Sequence, residues 1–310
     1  MSELEKYILR TVVYYDVLDM APTTYEIWRN LLNARNNEQI FLGSIIVSLD
    51  DLATQKIIEQ KWGFNFLPGR ENLCVERLDK LNLTDEKWKK ARRAFSMLAL
   101  VPYLRMVFAS GSFALGNTER ASDIDILVVL KRERIWTGRL IITILLHILG
   151  MRRHGTKISN RICLNHFITD ASLQIPFRSL YNAHIYANLV PIMTVHGAEA
   201  EGFFKANKWI NDFVGVNDRL PPSSRRTIKP NKILLKIASV SEVLLNTPIG
   251  GWLEGLLKNI QQRRISSNPV THNNIGHVLA NDDMLAFHPD SPEHEIINKF
   301  NKKLVELGLG

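Results

Sequence analysis

Three short pieces of this 310-residue chain carry residue types suited to phosphate and metal chemistry. Gly111 and Ser112 follow an apolar run, Tyr103 to Ala109. A polar loop, Asn117 to Ser122, then leads to Asp123 and Asp125 at the start of a second apolar run ending at Leu130. Strand side chains alternate with period two, so the two aspartates project from one face. Adjacent carboxylates repel, and a divalent cation resolves that repulsion. Mg²⁺ ions that bridge such a pair to the phosphates of a nucleotide stabilise in-line displacement at phosphorus. Gly111 lets the backbone approach a phosphate closely. Ser112 adds a hydroxyl, and the N–H groups of the following helical turn suit an anion. Ser122, next to the first aspartate, joins Gly111 and Ser112 as a candidate nucleotide contact.

These pieces, Phe108-Ala109-Ser110-Gly111-Ser112, a ten-residue spacer and Asp123-Ile124-Asp125, together resemble the signature of the DNA polymerase β superfamily of nucleotidyltransferases. The resemblance covers residues 103 to 130 and extends toward residue 195. It implies an α+β fold with a mixed sheet, and transfer of a nucleoside monophosphate from a nucleoside triphosphate to an acceptor hydroxyl. It also implies Mg²⁺ or Mn²⁺ on Asp123 and Asp125, with the triphosphate at Gly111 and Ser112. RNA, a protein side chain and a small molecule all remain open as acceptors. Active members place a third carboxylate on a later strand. The corresponding stretch here, Arg161 to Ile168, holds no acid. Asn165, its central polar residue, is the candidate for that position: it could ligate a metal weakly through its carbonyl but cannot act as a base at neutral pH. Asp170 lies just beyond, and alternation would put His166 on the face opposite Asn165. A non-catalytic nucleotide- or nucleic-acid-binding regulatory protein derived from a transferase is therefore the alternative. The whole chain also resembles a group of bacterial proteins that join an N-terminal winged-helix-like segment to such a core and a helical C-terminal region.

The positioning elements follow from periodicity. Leu4, Ile8, Val12, Tyr15 and Leu18 have helical spacing, and Ala21 to Thr24 break it and cap a second helix, Tyr25 to Leu32. A third helix over Phe41 to Ala53 and a hairpin around Trp62-Gly63 complete a pattern that resembles a winged helix. Its third helix carries Asp50 and Asp51, whereas duplex affinity rests on neutralising phosphates. Duplex DNA is thus disfavoured as a partner. Glu71 to Val101 is charged and helical, with a break expected at Asn82 to Asp85 and Thr84 as an N-cap. The boundaries are 1–69 for the winged-helix-like domain, 70–102 for a helical connector, 103–214 for the transferase core and 215–310 for a linker and helical region.

Glu133 to Met151 predicts a helix with Ile135, Leu140, Ile144, Leu145 and Ile148 inward and His147 as a core or boundary residue. Arg152, Arg153, His154 and Lys157 read equally well as a phosphate or RNA-backbone patch and as a solvated helix end. Arg178 and His184 read as a surface cation and a boundary histidine. Gly215 to Pro230 reads as an exposed linker, and Thr271 to Asn281 as turn-rich. His272, His277, His288 and His294 are scattered, without metal-site spacing.

Composition sets the outer bounds. Hydrophobic residues make up 45% and charged residues 23%, which excludes a disordered chain. Two cysteines, Cys74 and Cys163, exclude a disulfide scaffold and a cysteine-based zinc module and point to a reducing, cytoplasmic setting. The N-terminus lacks the pattern of a signal peptide. The apolar stretch Leu140 to Met151 is too short to span a membrane, so no membrane partner is expected. The net charge of +8 is uneven. Residues 1–70 hold seven Lys/Arg and nine Asp/Glu, whereas residues 131–161 hold eight and one. That asymmetry suits an anionic partner.

Overall fold

The computed structural model describes residues 1–32, 40–216, 225–269 and 276–309. A six-stranded mixed sheet runs in the order β7-β4-β5-β6-β10-β9. Its strands are β4 (Leu104–Ala109), β5 (Ile124–Leu130), β6 (Ile162–Thr169), β7 (Val190–Thr194), β9 (His277–Ala280) and β10 (Met284–His288). β5 and β6 are parallel, and the other neighbours are antiparallel. A parallel pair needs a crossover, and α6 (Ile135–Ile148) supplies it.

The period of two gives the sheet two apolar faces. Leu127 and Val129 of β5 pack with Phe108, Ile168 and Ala286 against α1 (Glu3–Val17), α7 (Leu180–Ala187), α8 (Ala200–Ala206) and α11 (Glu293–Glu306). Ile124, Ile126, Val128 and Leu130 pack with Phe167 and Leu285 against α4 (Asn72–Met97), α5 (Gly111–Leu115) and α6. The sheet is thus the middle of three layers. Asp125 shares the face of Leu127 and looks toward α7.

The N-terminal segment contains α1, α2 (Thr24–Arg29), β1 (Asn30–Leu32), α3 (Leu42–Thr54), β2 (Glu59–Lys61) and β3 (Phe64–Phe66). The second helix stops earlier than its spacing predicts. Asn30 is buried and donates to the Tyr15 hydroxyl at 2.9 Å, while the Leu32 N–H donates to Thr11 Oγ1 at 3.0 Å. Leu31 and Leu32 are drawn into the core as a strand paired with β8 (Val214–Val216). Gly215, expected to open a linker, lies in that strand. Pro221 to Ser224 and His272 fall outside the described residues.

Three further expectations are corrected. α4 runs without a break at Asn82 to Asp85, because the Thr84 hydroxyl turns back to the Lys80 carbonyl at 2.7 Å and meets Thr118 Oγ1 at 2.8 Å, rather than capping a new helix. α6 is rotated relative to the predicted face. Trp136, Ile142 and Leu146 are buried with Ile135, while Ile144 and Ile148 face solvent and His147 is exposed, its ring 5.3 Å from that of His154. The end of the turn-rich stretch is strand β9. Asn281 Oδ1 accepts from the N–H groups of Asp283 and Met284, which closes the turn between β9 and β10 and extends the sheet beyond β6.

α9 (Lys232–Leu245) and α10 (Pro248–Ser266) lie on the α6 side, with Gln261 of α10 bonded to α6. No single helix among the described residues is long and apolar enough to cross a membrane.

Candidate active site

β4 delivers the chain into Ser110, whose N–H donates to the Asp125 carbonyl at 3.0 Å, and α5 begins at Gly111. Gly111 has φ of +58°, and a Cβ there would sit 3.2 Å from Asp125 Oδ2. The glycine predicted for phosphate approach therefore also lets the turn lie against a carboxylate. Ser112 lines the cavity beside it. The Ser122 hydroxyl donates to the Glu119 carbonyl at 2.8 Å and accepts from the Glu119 N–H at 3.1 Å, so it closes its own loop.

Residues outside the motif hold this loop. Arg77, Thr84 and Lys87 share one face of α4, at i, i+7 and i+10. Arg77 donates to the carbonyls of Leu115 and Gly116 at 3.0 and 2.9 Å. Lys87, fully buried, donates to the Ser122 carbonyl at 2.6 Å. The connector helix thereby clamps both ends of the segment between Gly-Ser and the first aspartate. The sequence signal was polar residues repeating on the face that α4 turns inward.

Asp123, Asp125 and Cys163 offer ligand atoms that all lie within 4.8 Å of one another. Burial, and then the Asp123 charge, push the Asp125 carboxyl up to about 6, against the pull of Arg153, Asn165 and Cys163. Burial and the two aspartates also push the Cys163 thiol up, so it is a neutral neighbour. Two carboxylates this close, one of them destabilised by burial, are oxygen donors that could hold a hard divalent cation. Arg153 now offsets part of the charge, donating to Asp123 Oδ2 at 2.5 Å and to Cys163 Sγ at 3.4 Å.

Asn165 comes to the carboxylates. Its Nδ2 donates to Asp125 Oδ1 at 3.3 Å and lies 3.5 Å from His288 Nδ1. The register between β5 and β6 shifts here: Asp125 pairs with Cys163, but Leu127 pairs with His166. That extra residue is a bulge, and it cancels the alternation that would separate Asn165 from His166. His166 lies on the same side as Asn165, fully inside, with its ring 5.4 Å from His288 and 6.0 Å from Tyr186. Burial, and then His288, hold His166 well below the usual histidine range, and burial with His277 lowers His288 to about 4. Both rings are neutral near pH 7.

Asp170 is elsewhere. Its N–H donates to the Leu130 carbonyl, and its side chain accepts from the Arg132 N–H at 2.8 Å. Leu130 is at the other end of β5, about 16 Å along the strand from Asp125 at roughly 3.3 Å per residue, and Arg132 lies beyond it. Arg178 is exposed. His184 is fully buried between the rings of Tyr14 and Tyr15, at 5.1 and 5.2 Å, rather than at a boundary.

A cavity of about 1250 Å³ surrounds these groups. On the Asp125 face it is lined by Asn165, His288, Tyr181 and Phe177, whose ring stacks on His277 at 4.4 Å. His277 and His288 had no visible relation in sequence; the β9–β10 pairing sets them opposite each other.

Searches of curated proteins and of solved structures found no match to this chain. A family profile described as "Nucleotidyltransferase domain" matches residues 89–175, from the later turns of α4 through β4, the Gly-Ser turn, β5, α6 and β6. Over that part of its length, the chain carries a nucleotidyltransferase domain of the polymerase β superfamily.

Proposed function

We propose that this chain transfers a nucleoside monophosphate from a nucleoside triphosphate to an acceptor hydroxyl. The observation that carries this reading is the meeting of Gly111 and Ser112 with the Asp123–Asp125 pair at one end of β4 and β5, inside the matched domain. The acceptor oxygen bonds to the α-phosphorus, the bond from that phosphorus to the bridging oxygen breaks, and pyrophosphate leaves with the electron pair. Asn165 has no basic atom, so the acceptor proton passes to water.

Asp123 and Asp125 are the residues that would hold Mg²⁺ or Mn²⁺. When bound, such a cation supplies charge neutralisation at the transferring phosphoryl group. Gly111 keeps the turn clear for the triphosphate, and Ser112 donates its hydroxyl there. Arg153 leaves Asp123 for a phosphate oxygen as the nucleotide enters, since a guanidinium pairs with either anion. The acceptor is an RNA end, a protein side chain or a small molecule. The N-terminal segment serves in this reading as a winged-helix-like contact module for protein. Its third helix exposes Phe41, Val47, Asp50 and Asp51 with no cation among them, which speaks against duplex DNA.

A second reading, a non-catalytic nucleotide-binding regulator, is favoured by the amide of Asn165 beside Asp125. The two are separated by incubating the chain with α- and γ-labelled nucleoside triphosphates in Mg²⁺ or Mn²⁺, with total RNA and the protein itself as acceptors. Transfer of the α but not the γ label, abolished in folded Asp123→Ala and Asp125→Ala chains, supports the transferase. Equal transfer by those variants removes it. Tight Mn²⁺–nucleotide binding without transfer to any acceptor supports the regulator.

A further inference from the structure

The cavity has a second half, on the other face of the sheet. Phe287 follows Ala286 and precedes His288 on β10, so it points away from the aspartates and toward α6 and α10. Arg139 of α6 lies there, its guanidinium carbon 5.2 Å from the Phe287 ring centre and 6.0 Å from that of Phe167. Arg264 and Ile265 of α10 line the same half with Leu140. Arg152 and Arg153 lie on extended chain bridged to the start of β6. Consecutive side chains diverge in such a segment: Arg153 goes to Asp123, and Arg152 lines the cavity that Arg139 and Arg264 also line.

We propose that Arg139, Arg152 and Arg264 form a site for the phosphoryl dianion of a small phosphorylated molecule, separate from the Asp123–Asp125 site.

Among the described residues no carboxylate pairs with any of the three. Carboxylates exist on this side but are committed elsewhere. Glu254 accepts from the N–H groups of Trp136 and Thr137 at 2.8 and 2.9 Å. Asp282 accepts from Trp136 Nε1 at 2.9 Å and pairs with Lys258 at 2.6 Å. The cavity as a whole is lined by four guanidinium groups against the carboxylates of Asp125 and Asp290. Burial, and then the charges of Arg152 and Arg264, pull Arg139 down to about 10, so the three cations oppose one another. A dianion reverses that repulsion.

Arg139 is also prepared for a ligand. One terminal nitrogen donates to Gln261 Oε1 at 2.8 Å, and Gln261 is fixed in turn by donating to the Trp136 carbonyl at 2.9 Å. The Nε of Arg139 is buried without a partner. A planar fork held by one arm, with donors left open, matches phosphate oxygens better than a single carboxylate, which carries too little charge for three cations. Leu140, Ile265 and Phe287 supply an apolar wall for the remainder of the molecule. A small ligand fits because Arg139 lies half-buried inside the cavity, off the outer surface.

The proposal does not rest on the transferase reading, and its test needs no activity. Pyrophosphate is titrated calorimetrically into the full-length chain in EDTA, which leaves the aspartate site without a cation. Wild type is expected to bind one pyrophosphate per chain, more weakly as salt rises. Arg264→Gln and Arg152→Gln each weaken binding at least about tenfold, while Ser112→Ala leaves it unchanged. Arg264 is exposed, so its variant keeps the test informative if the Arg152 variant folds poorly. Wild-type affinity in both arginine variants overturns the proposal. So does loss of binding in Ser112→Ala, which would put the ligand at the nucleotide turn, or absence of saturation at millimolar pyrophosphate. Single-stranded RNA that binds through the same arginines and is not displaced by pyrophosphate would also overturn it.

Discussion

Gly111→Ala isolates what the Gly-Ser turn requires. Gly111 has φ of +58°, the left-handed region, where an L side chain costs about 1–2 kcal/mol. The added Cβ would also lie 3.2 Å from Asp125 Oδ2, so the carboxylate must give way by a few tenths of an ångström. Asp125 cannot move as a unit, because its carbonyl is tied to the Ser110 N–H at 3.0 Å. The side chain moves instead, against its 3.3 Å contact with Asn165. A loss of about 1–2 kcal/mol lowers Tm by about 2–8 °C, at roughly 2–4 °C per kcal/mol. Gly116→Ala is the control. It has φ of +68°, and its new Cβ meets the flexible end of Leu81 at 2.8 Å, away from the carboxylates. Circular dichroism melts should show both variants destabilised, while Mn²⁺ binding read by electron paramagnetic resonance should weaken only in Gly111→Ala. Two results would refute the reasoning: a Gly111→Ala chain that melts with the wild type, or one that melts lower yet binds Mn²⁺ as tightly.

Three further perturbations test other links. Burial, and then Arg29, hold His184 at about 3, so it is neutral in the fold, whereas the unfolded chain takes up a proton near pH 6.5. Stability therefore falls as pH drops below that value, by about 1.4 kcal/mol per unit until about pH 3, and His184→Phe should lose about 2 kcal/mol less than wild type between pH 6.5 and 5 in urea titrations. Parallel losses in the two chains would contradict this. Lys87→Met leaves the Ser122 carbonyl without its 2.6 Å donor, which costs about 1–3 kcal/mol and should speed amide exchange across residues 117–123; unchanged exchange there would exclude the clamp. Asn165→Asp puts a third carboxylate against Asp125, so the metal-free chain should melt lower and gain more from Mn²⁺ than wild type does. Equal Mn²⁺ shifts would show that position 165 does not reach the cation.

The stretch at the centre of the nucleotidyltransferase profile match was legible because its logic is local. The strand into Gly111-Ser112, the loop, and two aspartates two residues apart on the next strand all lie within residues 103–130, and the alternation that puts Asp123 and Asp125 on one face needs no knowledge of neighbours. Helices α1 and α3 and the hairpin over β2 and β3 were readable for the same reason, whereas the end of α2 was not. Periodicity failed where another element chose the face or the register. Ile144 and Ile148 share helical spacing with the predicted inward set, yet the packing of α6 on β5 and β6 buries Trp136, Ile142 and Leu146 instead.

The sequence alone thus placed a Gly-Ser turn close in chain to two aspartates on one strand face, and showed that the later strand, residues 161–168, holds no acid. Tertiary structure alone decided what stands in its place. The bulge at residues 164–165 turns Asn165 toward Asp125, and the C-terminal hairpin brings His288 beside it from 123 positions away. Likewise α4 clamps the loop through Arg77 and Lys87, and the start of β6 holds the extended chain that brings Arg153 to Asp123. Each depends on which strand edge or helix face a distant segment occupies. That choice is made by burial of apolar surface over the whole chain, a sum that no local pattern records.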